Sequence, residues 1–428
     1  MKQLSNRKYS FIQFLTLLFL FCNSTLIAQH TDYVDDTQTQ VLADSTKSYF
    51  IPDVSHKEMR WSKTRNRWFS AKLGFAPILD YNAVYQDNDS ENQVGSQESR
   101  WDIRSARVML RGKINFKKKW SYLLSYEYRG LDRKEDQAAF GFTDIKLIIP
   151  IGEHSELHVG KQKETFVYEM VGDAANLPHF ERLMNPFFNS RNNGIIYRHF
   201  LMNDRMTISA GVFNQWPGNG KNLDEGATTF TARVTGLPKW ENEGKTFMHM
   251  GIGVRYVEAE NGLVRLKGKN ESNISDNYVD TGNMEAKHQW NVNFEQLWSL
   301  ENFSVLMEYV HNWTATKTSG IEQFNGFYVT GSYVLSGEQR PYDMKAAYAR
   351  RIKPTGKYGA WEIVSRIGRN DLQTRTIDGG INNRYNLGLN WWATQYWKAG
   401  FIYGVSNLDK NGVTGITNSL QFRLQWIY

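Results

Sequence analysis

The chain has 428 residues, a formal net charge of +7, 14% aromatic residues and a mean hydropathy of −0.55. Such a length supplies a large core or a large barrel, and so many aromatic rings at negative hydropathy are out of character for a cytosolic enzyme. Acids are interspersed among the bases, which argues against a nucleic-acid-binding face, and beyond the N-terminus no run of about 18 apolar residues provides a spanning helix.

Lys2, Arg7 and Lys8 precede an apolar run over 11–20, and Leu26-Ile27-Ala28 closes it as a cleavage site. Residues 1–28 therefore read as a secretory signal peptide, and Phe21 before Cys22 is too bulky for a lipoprotein-type site. Cys22 is the single cysteine, so the mature chain carries no thiol, which suits export. Losing those three cations takes the net charge from +7 to +4. Residues 29–67 are polar and aperiodic, acidic at first (Asp32, Asp35, Asp36, Asp44) and basic at the end (Lys57, Arg60, Lys63, Arg65, Arg67). They read as a flexible periplasmic extension, a plain solvated linker, with a basic end resting near the membrane surface as the alternative.

From residue 68 onward the period is two. Phe69, Leu73, Phe75, Leu79, Tyr81 and Tyr85 share one face, with Ser70, Lys72, Asp80 and Asn82 opposite. Alternation along strands long enough to span a bilayer, with aliphatic and aromatic residues outside, predicts a transmembrane antiparallel β-barrel over 68–428. The second strand changes phase between Ile103 and Ala106, which predicts a bulge near Ser105 and turns Arg107, Arg111 and Lys113 to the lumen. Further strands fall at 120–128, 139–151 and 156–164. A long aperiodic stretch, 165–193, then carries two prolines and several large side chains, as functional loops do. Strands resume at 195–202, 206–216, 228–237 and 247–258. Residues 259–285 read as an external loop. The remaining strands fall at 290–297, 303–313, 327–336, 344–352, 360–369, 385–394, 398–405 and 419–428. That makes seventeen candidates, one too many or too few for a closed barrel, so sixteen strands are expected, with eighteen as the alternative. The last strand puts Leu420, Phe422, Leu424, Trp426 and Tyr428 on one face, with the terminal ring at the membrane–water boundary.

Several strands resemble the phosphate-selective porin O and P family of outer-membrane channels. The residues are Gly326-Phe327-Tyr328-Val329-Thr330-Gly331 leading to Gly337-Glu338 and Arg340-Pro341-Tyr342. To these add Gly359-Ala360-Trp361-Glu362 with Arg366, and Leu387-Gly388-Leu389-Asn390-Trp391-Trp392. Upstream, 103–113 resembles the arginine-bearing second strand, and 160–168 the strand entering an inward-folded third loop. The resemblance covers roughly 69–428. It implies an outer-membrane homotrimer of sixteen-stranded barrels, with no enzymatic activity and no cofactor or metal. Each barrel passes small anions along lumenal arginines to a lysine-lined constriction. The aromatic C-terminus resembles the signal by which the barrel-assembly machinery receives such chains, which makes Tyr428 a partner contact. The family pattern also turns Lys161 and Lys163 inward. The chain departs from the family in its small basic surplus and in the acids Glu127, Glu164, Glu181, Glu308 and Glu362 among its bases.

Arginine suits an oxyanion because its forked donors match tetrahedral oxygens and it stays charged. The candidate selectivity residues are Arg107, Arg111 and Lys113 on the second strand and Lys161 and Lys163 at the third-loop entrance. Arg182 and Arg191 within that loop and Arg366 near the C-terminal end complete the set. The competing structural role for each is pairing with an acid on a neighbouring strand, and Glu362 lies near Arg366. Gly251-x-Gly253 lacks a third glycine, Gly218-Asn219-Gly220-Lys221 lacks the phosphate-loop spacing, and His154 and His158, flanked by Glu153 and Glu156, make only a weak metal-pair signal. The expected function is passive diffusion of small hydrophilic solutes, anion-leaning. A surface adhesin or structural barrel, and an outer-membrane barrel enzyme, are the alternatives.

Overall fold

The computed structural model describes residues 63–116, 118–128, 140–215 and 227–428. The expected signal peptide and residues 29–62 of the extension lie outside the described residues. The end of that extension is not a free lead-in: Lys63–Arg65 pair antiparallel with residues 70–72, Lys63 opposite Lys72.

Sixteen long strands form the wall. They are β1 (Phe69–Gln86), β2 (Arg100–Ile114), β3 (Trp120–Tyr128), β4 (Phe140–Pro150), β5 (Ser155–Gln162), β6 (Asn192–Leu201), β7 (Met206–Asn214) and β8 (Thr228–Glu241). The second half comprises β9 (Thr246–Glu258), β10 (Met284–Leu300), β11 (Phe303–Thr316), β12 (Ile321–Val334), β13 (Ala360–Gln373), β14 (Asp378–Trp392), β15 (Trp397–Lys410) and β16 (Val413–Trp426). Each pairs antiparallel with the next, and β16 closes on β1 from Ile78↔Gln425 to Gln86↔Thr417. Closure leaves no sheet edge, as hydrocarbon requires.

Burial is inverted relative to a soluble protein. Along β13, Glu362, Arg366 and Asn370 are buried while Trp361, Ile363 and Ile367 are exposed. The apolar rows face lipid and the polar rows face inward. The β1–β2 register skips Arg104, Ile78 lying opposite Ser105 and Leu79 opposite Ile103, so the bulge stands beside Ser105 as expected.

One strand of the seventeen does not exist. Residues 344–352 belong to a 25-residue connection (335–359) between β12 and β13, in which Tyr342–Asp343 and Tyr348–Ala349 make a small hairpin of their own. Its position in the strand order puts it at the barrel end with the tight turns 115–119, 151–154, 202–205, 242–245 and 301–302, the periplasmic end by the usual asymmetry. Instead of turning back at once, it enters the barrel: Ala347, Tyr348 and Ile352 are buried.

The fifth loop (259–283) corrects a second expectation. It is not external; Leu266, Glu271, Tyr278 and Val279 are buried inside the barrel. Together with the third loop (163–191) and segment 335–359 it builds an interior core. Phe166, Leu183, Met184 and Phe187, then Leu266 and Val279, then Tyr348 pack on Phe247, Leu306, Val310, Phe324 and Tyr328 of the wall. The lumen of this barrel is therefore part core and part cavity.

Candidate functional site

The third loop is held against the C-terminal half of the wall by groups aimed inward from successive strands. Glu308 on β11 accepts from the Tyr168 backbone N–H (2.6 Å), and Asn370 on β13 donates to the Leu183 carbonyl (2.9 Å). Asn390 on β14 donates to the Pro178 carbonyl (2.8 Å), and Arg423 on β16 to the Phe180 carbonyl (2.6 Å). Two inward glycines make room. A Cβ at Gly326 would stand 2.7 Å from the Phe187 ring, and one at Gly400 would stand 2.7 Å from Phe180. Glycine in a strand commonly marks such a close approach.

Buried charge completes the attachment. Arg366 donates to Glu169 of the third loop (2.8 Å) and Glu271 of the fifth (2.5 Å), with its guanidinium 4.4 Å over the Tyr328 ring. Glu181 sits between Arg104 (2.5 Å) and Arg423 (2.7 Å). Burial works to raise the Glu181 carboxyl, but the two guanidinium groups override it and hold it at about 2. Segment 335–359 locks onto the loop from the other side. The Tyr168 hydroxyl accepts from the Ala349 N–H (2.8 Å), and Arg340 reaches both the Asn176 carbonyl (2.6 Å) and Glu362 (2.5 Å).

What these insertions leave open is a cavity of about 1500 Å³ lying against β1–β6. It extends from Lys113 and Lys119 at the periplasmic rim to Lys163, Arg182 and Arg191 at the third loop. Its lining holds eighteen lysines and arginines against five carboxylates, so the field inside is positive.

Of the candidate residues, Arg107, Arg111, Lys113, Lys163, Arg182 and Arg191 line this cavity. Three of them are occupied by acids: Arg107 by Glu127 (2.6 Å), Arg191 by Asp144 (3.1 Å) and Lys163 by Asp173 (2.7 Å). Arg182 donates to the Glu169 carbonyl (2.5 Å) and the Gly172 carbonyl (3.1 Å), bracing the loop from within. Burial draws the Lys163 ammonium down to about 8, and the Asp173 carboxylate opposes that pull. Arg111 and Lys113 are exposed and make no ion pair among the described residues.

Two candidates fall outside the cavity. Lys161 is buried and absent from the lining, because the alternation that points His158 and Gln162 inward places it with Leu157 and Val159. Arg366 is the pin described above, and its acids are Glu169 and Glu271, whereas Glu362 serves Arg340. Tyr428 also departs from expectation. Its ring is 2% exposed beneath the Lys72 ammonium (4.9 Å), while Trp426 keeps the outer face, stacked on Trp397.

The sequence reading missed Arg104, Lys146, Arg198, Arg350 and Arg351, all of which line the cavity. Arg104 was hidden by the bulge it occupies. Arg350 and Arg351 were hidden by a false strand, although two adjacent arginines in a barrel strand would have put one into lipid. In register, Lys72, Arg111, Leu123 and Lys146 form one row across β1–β4, which places three cations at one height.

A closed sixteen-stranded barrel with an inward third loop and a polar lumen defines an outer-membrane protein of porin architecture. The phosphate-selective porin O and P family model matches residues 72–428, and the chain belongs to that family. Porin O of Pseudomonas aeruginosa is 22% identical over 261 residues, which is 53% of this chain and 58% of that protein, so the chain spans under two thirds of the curated relative it matches. Among solved structures, the outer membrane channel DcaP of Acinetobacter baumannii covers 84% of this chain and 98% of its own, at 11% identity and TM-score 0.54. The anion-selective porin from Comamonas acidovorans covers 84% and 100%, at 12% identity and TM-score 0.50. The trimer form of OmpT of Vibrio cholerae covers 83% and 99%, at 10% identity and TM-score 0.50. At these identities the structures establish the shared fold.

Proposed function

We propose that the protein is a passive, non-enzymatic outer-membrane channel for small hydrophilic solutes that prefers anions, phosphate-like oxyanions included. The observation that carries this reading is the sign of the cavity lining, eighteen bases to five acids in a chain whose mature surplus is small. Selectivity in a pore follows the charge where the passage is narrow. Pairing removes much of the field of Arg107, Lys163 and Arg191, so Arg111 and Lys113, with Lys146 in the same row as Arg111, carry the preference. The trimer form of the Vibrio cholerae relative and the family membership support a homotrimer. Of the alternatives, an adhesin or an enzyme needs no continuous passage, and both predict electrical silence.

The test is reconstitution of the full protein in planar bilayers with a salt gradient. Stepwise conductance with a reversal potential of anionic sign is expected. Silent insertion, or a cation-signed potential, contradicts the reading.

A further inference from the structure

Beyond transport, one arc of the periplasmic rim is built to hold something other than water. The hairpin 63–69 and the turn 115–119 are clamped together. Asn115 donates through its backbone to the Trp68 carbonyl (2.7 Å) and through its side chain to the Arg67 carbonyl (3.1 Å). The Asn66 side chain in turn caps the Trp68 and Phe69 N–H groups at 2.8 Å each. The clamp fixes a platform whose apolar part is large and bare: Trp68 is 65% exposed, Phe116 54% and Phe69 40%. Phe116 and Trp120 meet edge to face with centroids 5.0 Å apart, and the Arg67 guanidinium lies 4.4 Å over the Trp68 ring.

The charged part has one sign. Residues 63–79 and 105–126 contain no aspartate or glutamate, yet they contribute Arg65, Arg67, Lys118 and Lys119 at this rim. None of these four makes an ion pair among the described residues, and Lys118 and Lys119 are exposed. The other tight turns at the same end differ. In four of them Glu153, Asp204, Glu243 and Glu301 each place an acid, and the fifth, 393–396, carries no charge. Acid is thus absent from the arc of β1–β3, where exposed rings stand beside unpaired cations.

We propose that this arc is a docking surface for anionic phospholipid of the periplasmic leaflet. Arg67 and Lys118 engage the headgroup phosphates while Phe69, Phe116 and Trp120 lie at the glycerol level. The chemistry is that of an interfacial anchor: rings with one end in hydrocarbon, cations in the headgroup layer, and acids excluded. The occupant is lipid because Phe69 and Trp120 share the outward parity of Val108, Leu110 and Leu124, beside the cations. A soluble acidic protein would leave them in the bilayer, and free phosphate would not use them.

The experiment places the full-length protein in phosphatidylcholine bicelles with or without phosphatidylglycerol and measures lipid retained by native mass spectrometry. Retention of phosphatidylglycerol over phosphatidylcholine is expected. The double variant Arg67→Ala/Lys118→Ala, neither residue lining the cavity, should weaken it by about fivefold per cation, roughly twenty-fivefold in all. The reversal potential of the same variant should be unchanged, which separates this proposal from the channel reading. Heat-modified gel mobility reports whether the variant has folded. If it has not, the wild-type preference for phosphatidylglycerol must still vanish in molar salt. Equal retention of the two lipids by the wild type overturns the proposal, as does full retention by the folded variant. Complete displacement by millimolar glycerol phosphate overturns it too, since the patch would then recognise free phosphate.

Discussion

The two halves of the barrel wall carry the same kind of residue and use it differently. On β8–β16, inward arginines meet carboxylates delivered by an inserted loop or by the wall: Arg366 with Glu169 and Glu271, Arg384 with Glu271 (3.2 Å), Arg233 with Glu295 (2.5 Å). On β1–β6, the lumen is not filled, and Arg111 and Lys113 look into a cavity. An inward arginine is thus glue where chain is folded over it and a field source where it is not. Which role it takes is decided by the loops, far away in sequence.

The largest departure should come from removing the main pin. Arg366→Ala leaves Glu169 and Glu271 buried without their common partner, a loss of about 3–5 kcal/mol. The third and fifth loops should detach, seen as a lower melting temperature and a larger single-channel conductance. If the closed half is closed for any other reason, conductance will not rise. Next comes Gly400→Leu, which fills the space of the Phe180 ring and should cost about 1–3 kcal/mol with a similar opening, whereas Gly236→Leu on β8, where an added Cβ meets nothing within 4 Å, should do neither.

Acid offers a milder way to loosen the same attachment. Glu181 is held at about 2, below the ordinary 4.5 it would regain on release. Its contribution is therefore complete above pH 4.5 and is lost as the pH falls toward 2. Conductance should grow over that window and recover on neutralisation. The smallest effect belongs to Lys163 on the open side. Its positive charge is present below about pH 8 and lost above it, so anion preference should slip modestly as the pH rises through 8. Lys163→Arg should hold the preference constant over that range.

The sequence made the wall legible because a barrel strand needs only a period of two, and β1, β2 with its bulge, and β16 can be read residue by residue. The contents of the lumen were less legible. Length and aromatic content marked the third loop as inserted. The fifth loop is polar, and its inward course depends on Glu271 finding Arg366 and Arg384, pairings about a hundred residues apart. Segment 335–359 imitated a strand because Met344, Ala346, Tyr348 and Arg350 alternate over a short stretch. The glycines facing the third loop were visible, but a glycine shows the space it leaves only when the group filling that space is known. For the candidate site, strand parity found Arg107, Arg111 and Lys113, and the same parity, overridden by family pattern, misplaced Lys161.

If Arg111 and Lys113 set the sign of the current, reversing their charge must reverse it. The direct measurement is the reversal potential, in a salt gradient across a planar bilayer, of Arg111→Glu/Lys113→Glu against the wild type. The anionic potential of the wild type should collapse or change sign in the double variant. An unchanged anionic potential in a folded, conducting variant would contradict it.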